Sequence, residues 1–248
     1  MLEWLGLPVA ASAHAGQVDH ILVLVHWLMV VLFVGWGAFF AFVLFRFRSR
    51  RNPKASYAGA RGRFASVVEV GVLASEIALL AFFSIPFWSA NVDAKPPDGA
   101  ATEVRVIAEQ FSWNFHYPGP DGKFGRTSIE LVDQDNPLGL DRRDPAAKDD
   151  ITTINQLHVP VGRTVVIHLS SKDVIHSLGM PEMRIKQDAI PGIVQPVWFT
   201  PTKTGRWEIA CSQLCGLAHY RMKAFYTIHT PDQYNEWLQE EESALQPQ

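Results

Sequence analysis

A chain of 248 residues with a formal charge of −3 at pH 7 has room for one good-sized domain plus accessories. No basic cluster interleaves with aromatics, which argues against a nucleic-acid partner. Two cysteines are too few for a disulfide framework, and much of the 48% hydrophobic content sits in two blocks near the N-terminus.

Residues 1–20 read as an N-terminal outer segment, with Glu3 and Asp19 but no Lys or Arg. Ala11-Ser-Ala-His-Ala15 has small-residue spacing like a signal-peptidase site, yet no charged segment precedes it. The first apolar block therefore reads as a retained anchor. That block, 21–45, holds one ionisable residue, His26. As a helix it would run about 37 Å, enough to cross a hydrocarbon layer of about 30 Å with some tilt. The second block, 67–88, is also long enough and carries Glu69 and Glu76, which a helix places on nearly one face. Carboxylates in lipid are costly and usually face a protein partner or a proton path. Between the blocks lie Arg46, Arg48, Arg50, Arg51, Lys54, Arg61 and Arg63 with no acidic residue. The positive-inside rule puts this loop in the cytoplasm and both termini outside. Residues 21–90 are thus predicted to form a transmembrane hairpin.

The stretch Asn91-Val-Asp-Ala-Lys-Pro-Pro-Asp-Gly-Ala leads out of the membrane, and beyond it the hydrophobic period changes to two. Strands are predicted over 102–108, 111–117, 163–169, 173–178, 194–199, 206–210 and 223–229. Phe111, Trp113, Phe115 and Tyr117 share one face. Many short strands without intervening helical patterns indicate a Greek-key β-sandwich over 91–230. Residues 118–156 are polar and turn-rich and read as a long surface excursion. A terminal helix is predicted from 231 to about 242, with Tyr234, Trp237 and Leu238 inward.

Near the C-terminus, Cys211-Ser-Gln-Leu-Cys215-Gly-Leu-Ala-His219-Tyr-Arg-Met222 sets two thiols, an imidazole and a thioether at the spacing C-x3-C-x3-H-x2-M. Thioether added to thiolate and imidazole moves the expected metal from zinc toward copper. A short-range disulfide or two buried free thiols are the plainer alternatives. A further nitrogen donor is needed, and His176, in Asp173-Val-Ile-His-Ser177, is the best candidate. His168 falls within an alternating strand, and His116, His158 and His229 have no ligand-like neighbours. A mononuclear blue-copper site uses one Cys; two thiolates four apart can bridge two ions.

The chain resembles subunit II of haem–copper respiratory oxidases, in which such a dinuclear centre is called CuA. The resemblance spans nearly the whole chain. It rests on Gln110-Phe-Ser-Trp-Asn-Phe-His-Tyr-Pro118, on Asp173-Val-Ile-His-Ser177 with Lys186-Gln-Asp-Ala-Ile-Pro-Gly192, and on the Cys211–Met222 loop. It implies a cupredoxin-like sandwich behind the hairpin and two copper ions bridged by Cys211 and Cys215. His176 and His219 would cap the ions, with Met222 and the Gln213 carbonyl as weak ligands. It also implies catalytic subunit I and subunit III as partners in the bacterial plasma membrane, in preference to the mitochondrial inner membrane. Glu69 is nearest in place to a family Glu at the mouth of a proton channel, and Glu76 would pair with the catalytic subunit.

Two departures matter. Relatives mostly carry Glu where this chain has Gln213, and that carboxylate helps bind magnesium at the subunit interface. An amide is a poorer ligand for a hard dication, so a magnesium site is doubtful here. Relatives that use soluble cytochrome c mostly read Gln-Trp-x-Trp with a nearby acidic residue. Here Phe111 replaces the first Trp, Trp113 keeps the second, and the acidic position matches His116. This points either to a c-type cytochrome held in a stable complex or, more plainly, to Phe111 filling a core position. The expected function is the electron-accepting subunit of a proton-pumping terminal oxidase. A CuA-bearing nitric-oxide reductase subunit would show the same loop and anchor. From another class, a membrane-anchored copper carrier would need exchangeable, exposed ligands rather than five side chains in a closed site.

Overall fold

The computed structural model describes residues 6–54, 57, 62–93, 96 and 101–245. Glu3, Arg61 and most of the 91–100 linker lie outside these. The chain divides into two units, Gln17–Ala94 and Met1–Gly16 with Lys95–Gln248.

In the helical unit, α1 (Ala15–Arg46) and α2 (Arg63–Asp93) are long and apolar enough to cross a membrane. Both extend past the apolar blocks, because the helical backbone continues into the polar flanks. Their apolar side chains lie exposed on every side of the isolated chain, as helices solvated by lipid require. Arg46 closes α1 where the helix dipole favours a cation. The ring nitrogen Nδ1 of His26 lies 2.7 Å from the Leu22 carbonyl one turn back, which satisfies a polar atom within the helix. In α2 the ladder widens to i→i+5 at Leu80–Ser84 and Ser89–Asp93, on either side of Pro86, whose ring removes one N–H donor.

The second unit is a sandwich of ten strands. They are β1 (Thr102–Glu109), β2 (Ser112–Tyr117), β3 (Ile151–Ile154), β4 (Gln156–Pro160), β5 (Val165–Ser171), β6 (His176–Met180), β7 (Ile185–Ala189), β8 (Gln195–Phe199), β9 (Gly205–Cys211) and β10 (Lys223–His229). One sheet runs β3-β2-β1-β5-β8 and the other β4-β10-β9-β6-β7. Two pairings, β1 with β5 and β4 with β10, are parallel. Strict alternation along β1 sends Val104, Val106 and Ala108 into the core and Glu103, Arg105 and Ile107 outward. Trp113, Phe115, Tyr117, Leu157 and Tyr226 fill the space between the sheets. The His158 amide donates to the Tyr117 hydroxyl across it at 2.8 Å. A C-terminal helix, α3 (Pro231–Leu245), packs Tyr234 and Trp237 inward, with Leu238 half-buried against the core.

The sequence reading missed β3, β4 and β7. It also treated β2 as having one buried face, whereas Asn114 and His116 on the other face are buried as well. The reason is the excursion over 118–150. It lies on the outer face of the first sheet, with Leu138, Leu140, Asp141, Ala147 and Asp150 buried. It is tied internally by Arg126 and Arg143 on Asp141, at 2.8 and 2.9 Å. The N-terminal segment docks on the same unit. The Ala11 amide donates to the Glu182 carbonyl, the Ala13 amide to Thr200, and the Thr202 amide returns to Ala11, all at 2.8–2.9 Å. Ala11 and Ser12 are buried there, so the small side chains of this stretch permit close strand contact.

Candidate metal centre

Cys211 is the last residue of β9, and β10 begins directly after Met222, so the intervening loop is anchored at both ends by an antiparallel pair. The Cys211 amide donates to the Met222 carbonyl at 3.2 Å, and the Ser212 amide to Ser177 at 2.9 Å. The second bond ties the loop to β6, whose first residue is His176. Register places Leu178 opposite Cys211 and Gly179 opposite Ala210. A Cβ on Gly179 would collide with Ser212 Oγ and stand 3.0 Å from the Ala210 carbonyl, so glycine permits this close approach. A pairing of strands thus carries a histidine 35 residues upstream to the sulfur loop.

The donors converge. Cys211 Sγ lies 3.9 Å from Cys215 Sγ and 3.9 Å from His176 Nδ1. Cys215 Sγ lies 3.6 Å from His219 Nδ1 and 3.7 Å from Met222 Sδ. The Gln213 carbonyl accepts from the Cys211 thiol at 3.2 Å. Two donors bound at about 2.0–2.3 Å to one ion stand roughly 3.3–4.5 Å apart, so these separations fit direct coordination. Both thiols are free and buried, and the ligand atoms of His176, Cys211 and Cys215 all lie within 4.8 Å of one another. Burial first, then the neighbouring Cys211, push the Cys215 thiol up to about 11. A cation that stabilises both thiolates would remove that penalty, and soft sulfur donors select copper, zinc or iron.

Three features around the donors escaped the sequence reading. Asp173 Oδ1 lies 2.9 Å from His176 Nε2, which holds the proton on Nε2 and leaves the Nδ1 lone pair toward Cys211. The other Asp173 oxygen accepts from the Gln110 amide at 2.7 Å. Gln110 in turn donates from Nε2 to the Cys215 carbonyl at 2.6 Å, which locks the aromatic block to the sulfur loop. A carboxylate three residues before a candidate histidine ligand was the available signal for Asp173.

Phe111 packs against Gly216, where an added Cβ would stand 3.2 Å from its ring. Trp113 is fully buried, its ring edge-on to His176 with centroids 6.2 Å apart. His116 corrects the sequence reading: it is sealed from solvent with Nε2 2.5 Å from Asp150, so it occupies no docking surface. Glu69 and Glu76 lie exposed on α2, in the helical unit.

The family model described as cytochrome c oxidase subunit II, periplasmic domain, matches residues 102–227. The chain belongs to the cytochrome c oxidase subunit II family. It is therefore one subunit of an oxidoreductase complex of the haem–copper class, anchored in a membrane beside the catalytic subunit. The alternative cytochrome c oxidase subunit 2 of Bradyrhizobium diazoefficiens is 33% identical over 241 residues, covering 97% of this chain and 85% of that one. Cytochrome c oxidase subunit 2 of Synechocystis is 28% identical over 252 residues, with 94% and 74% covered. Among solved structures, the periplasmic domain of subunit II of Bradyrhizobium japonicum cytochrome oxidase aligns at 27% identity with a TM-score of 0.45. That alignment covers 61% of this chain and 99% of that domain. The family resemblance read from three sequence blocks is upheld, as is the membrane-anchored cupredoxin-like fold.

Proposed function

We propose that this chain accepts single electrons from a c-type cytochrome at a dinuclear copper centre. It passes them to haem in the catalytic subunit, where oxygen is reduced to water. The observation that carries the reading is the convergence of two sulfurs, two imidazole nitrogens, one thioether and one carbonyl at 3.2–3.9 Å. A copper pair sharing two thiolates supplies one-electron storage with little change in geometry. Cys211 and Cys215 are the bridging ligands in this reading. His176 and His219 each complete one metal, Met222 is a weak axial ligand, and Gln213 contributes only its backbone oxygen. The Gln213 side chain is exposed, and its amide makes a magnesium site at the subunit interface unfavourable.

Phe111 and Trp113 form the route by which the electron arrives. Phe111 is half-exposed and leans on the sulfur loop, and Trp113 lies inside it against the His176 ring. With His116 and Tyr117 both buried, the 110–118 block offers no ionisable group to a diffusing basic donor. A cytochrome in a stable complex with the oxidase, alongside subunit III, is the donor class that fits. The basic loop after α1 sits on the cytoplasmic side of a bacterial plasma membrane, with the sandwich outside. Glu69, and Glu76 two turns further, serve proton uptake and subunit pairing.

The test is a copper count and EPR spectrum on the full chain in detergent. Two coppers per chain, with one unpaired electron split by both nuclei, are expected. One copper with a single-nucleus pattern, or zinc in preference to copper, would sink the bridging assignment. For the donor, oxidase turnover with soluble basic cytochrome c is expected to vary little with salt; a steep salt dependence would overturn that part.

A further inference from the structure

The sheet that does not carry the sulfur loop has its own cluster of basic side chains on its outer face. Arg105 of β1 stands opposite His116 of β2 on one side and His168 of β5 on the other. The three share one row across the sheet. Phe124 of the excursion covers that row, with its ring centroid 4.1 Å from the Arg105 guanidinium carbon, 5.1 Å from the His116 ring and 6.2 Å from the His168 ring.

The carboxylates nearby are each engaged by another basic side chain. Asp150 is 2.5 Å from His116, Glu103 2.6 Å from His168, and Glu109 2.6 Å from Lys172. Arg105 has neither an ion pair nor a hydrogen bond to its guanidinium among the described residues. It feels the charge of buried Asp150 without bonding to it and packs on the Phe124 ring, and stacking uses only the flat face of a guanidinium. The five N–H groups around its edge remain unspent. A second polar atom is in the same position. His116 Nδ1 belongs to a residue 0% exposed and finds no hydrogen-bond partner among the described residues. Such a buried atom costs free energy unless something supplies its bond.

Both residues line one cavity of about 850 Å³ between the sheet and the excursion. The rest of the wall is mixed: Ile107, Phe124 and Leu138 are apolar, with Val132 and Ile129 toward solvent, and Thr127, Ser170 and Lys172 are among the polar groups. Apolar surface with convergent polar groups in a hollow of this size describes a small-molecule site. We propose that this cavity binds an organic carboxylate with a short apolar body. The carboxylate takes the edge of Arg105, and the chain lies against Ile107, Val132 and Leu138. His116 Nδ1 is sealed from the cavity, so the contact with the anion rests on Arg105. The site is independent of the metal centre and stands whether or not copper is bound.

The test uses the full chain in lipid nanodiscs with three probes: hexanoate, acetate and 1-hexanol. Calorimetry should give saturable one-to-one hexanoate binding, with amide exchange slowed over residues 124–132. Acetate and 1-hexanol should each bind at least tenfold more weakly. Arg105→Gln should weaken hexanoate at least tenfold, and Arg105→Lys should restore part of it. Val132→Trp, which fills the cavity from the excursion without touching β1, should block binding and decides the matter if Arg105→Gln fails to fold. Equal binding of hexanoate and hexanol would reduce the site to an apolar hollow, and equal binding of acetate would reduce it to surface charge. Either result, or unchanged hexanoate binding in Val132→Trp, overturns the proposal.

Discussion

His176 and His116 are both sealed from solvent, and both hold a carboxylate against Nε2, at 2.9 and 2.5 Å. They lie on opposite sheets and differ in what Nδ1 meets. That of His176 faces the Cys211 sulfur; that of His116 faces no partner among the described residues. Their carboxylates differ as well. Asp173 is three residues from its histidine and about a third exposed, whereas Asp150 is 34 residues away and fully buried. A carboxylate on Nε2 is thus a general means of fixing an imidazole. The local version aims His176 at the Cys211 sulfur, and the distant version pins the excursion to the sheet.

The comparison breaks most completely at the sulfurs. Cys215→Ser removes a donor that touches Cys211, His219 and Met222, so copper retention against a chelator should be lost. The decrease should exceed the 10–100-fold that a supporting hydrogen bond to a ligand is worth. Circular dichroism should show the sandwich unchanged, since β9 and β10 pair through backbone bonds. Asp150→Ala sharpens the contrast from the other side. It strips the acceptor from His116 and from the Gly125 amide, in a fully buried site, and should lower stability by about 3–5 kcal/mol in urea unfolding. Copper stoichiometry should stay the same.

Asp173→Asn is the smaller, complementary change. It weakens the hold on His176 and should cost 10–100-fold in copper affinity, read by competition with a chelator, while unfolding midpoints of the copper-free protein move little. The smallest effect concerns a third histidine. His158 stacks on Trp237 of α3 at 4.5 Å, and its Nδ1 lies 2.8 Å from His229 Nε2. Burial, then His229 and Arg206, hold His158 down at about 4. The folded state therefore resists a proton that the unfolded chain accepts. This contribution is complete above pH 6.5, declines as pH falls toward 4, and is flat below. Allowing for screening at its exposed edge, roughly 1–2 kcal/mol is at stake. Urea midpoints measured across that window should fall, and His158→Gln should flatten the slope.

These contrasts also explain what could be read without coordinates. The sulfur loop was legible because its side-chain donors fall within twelve residues, and the hairpin because lipid demands unbroken apolar length. His176 was legible from its strand-then-loop setting. Asp150 was not: in Lys148-Asp149-Asp150 it is chemically identical to a solvated acid, and only the distant partner makes it a core residue. Asn114 and His116 were misread for the same reason, since period-two alternation cannot register a cover supplied by another segment. Strand β7, Ile-Lys-Gln-Asp-Ala, has too little apolar character to declare itself and exists through its pairing with β6. The pairing of His158 with His229 depends on β4 lying beside β10, which no local pattern announces.

The parallel pairings have a consequence in time. Thr102 must find Val165, and Gln156 must find Phe225, before either sheet closes. Loops of this length delay closure through lost chain entropy, and domains built on such distant contacts fold slowly. His176 reaches the cysteines only through β6 and β9, strands in the middle of one of those sheets. The donor set is accordingly a product of finished folding rather than its seed. On the proposed function, metal would arrive at a ready-made socket, and the chain's maturation would have two clocks, one set by the polypeptide and one by delivery of the ion.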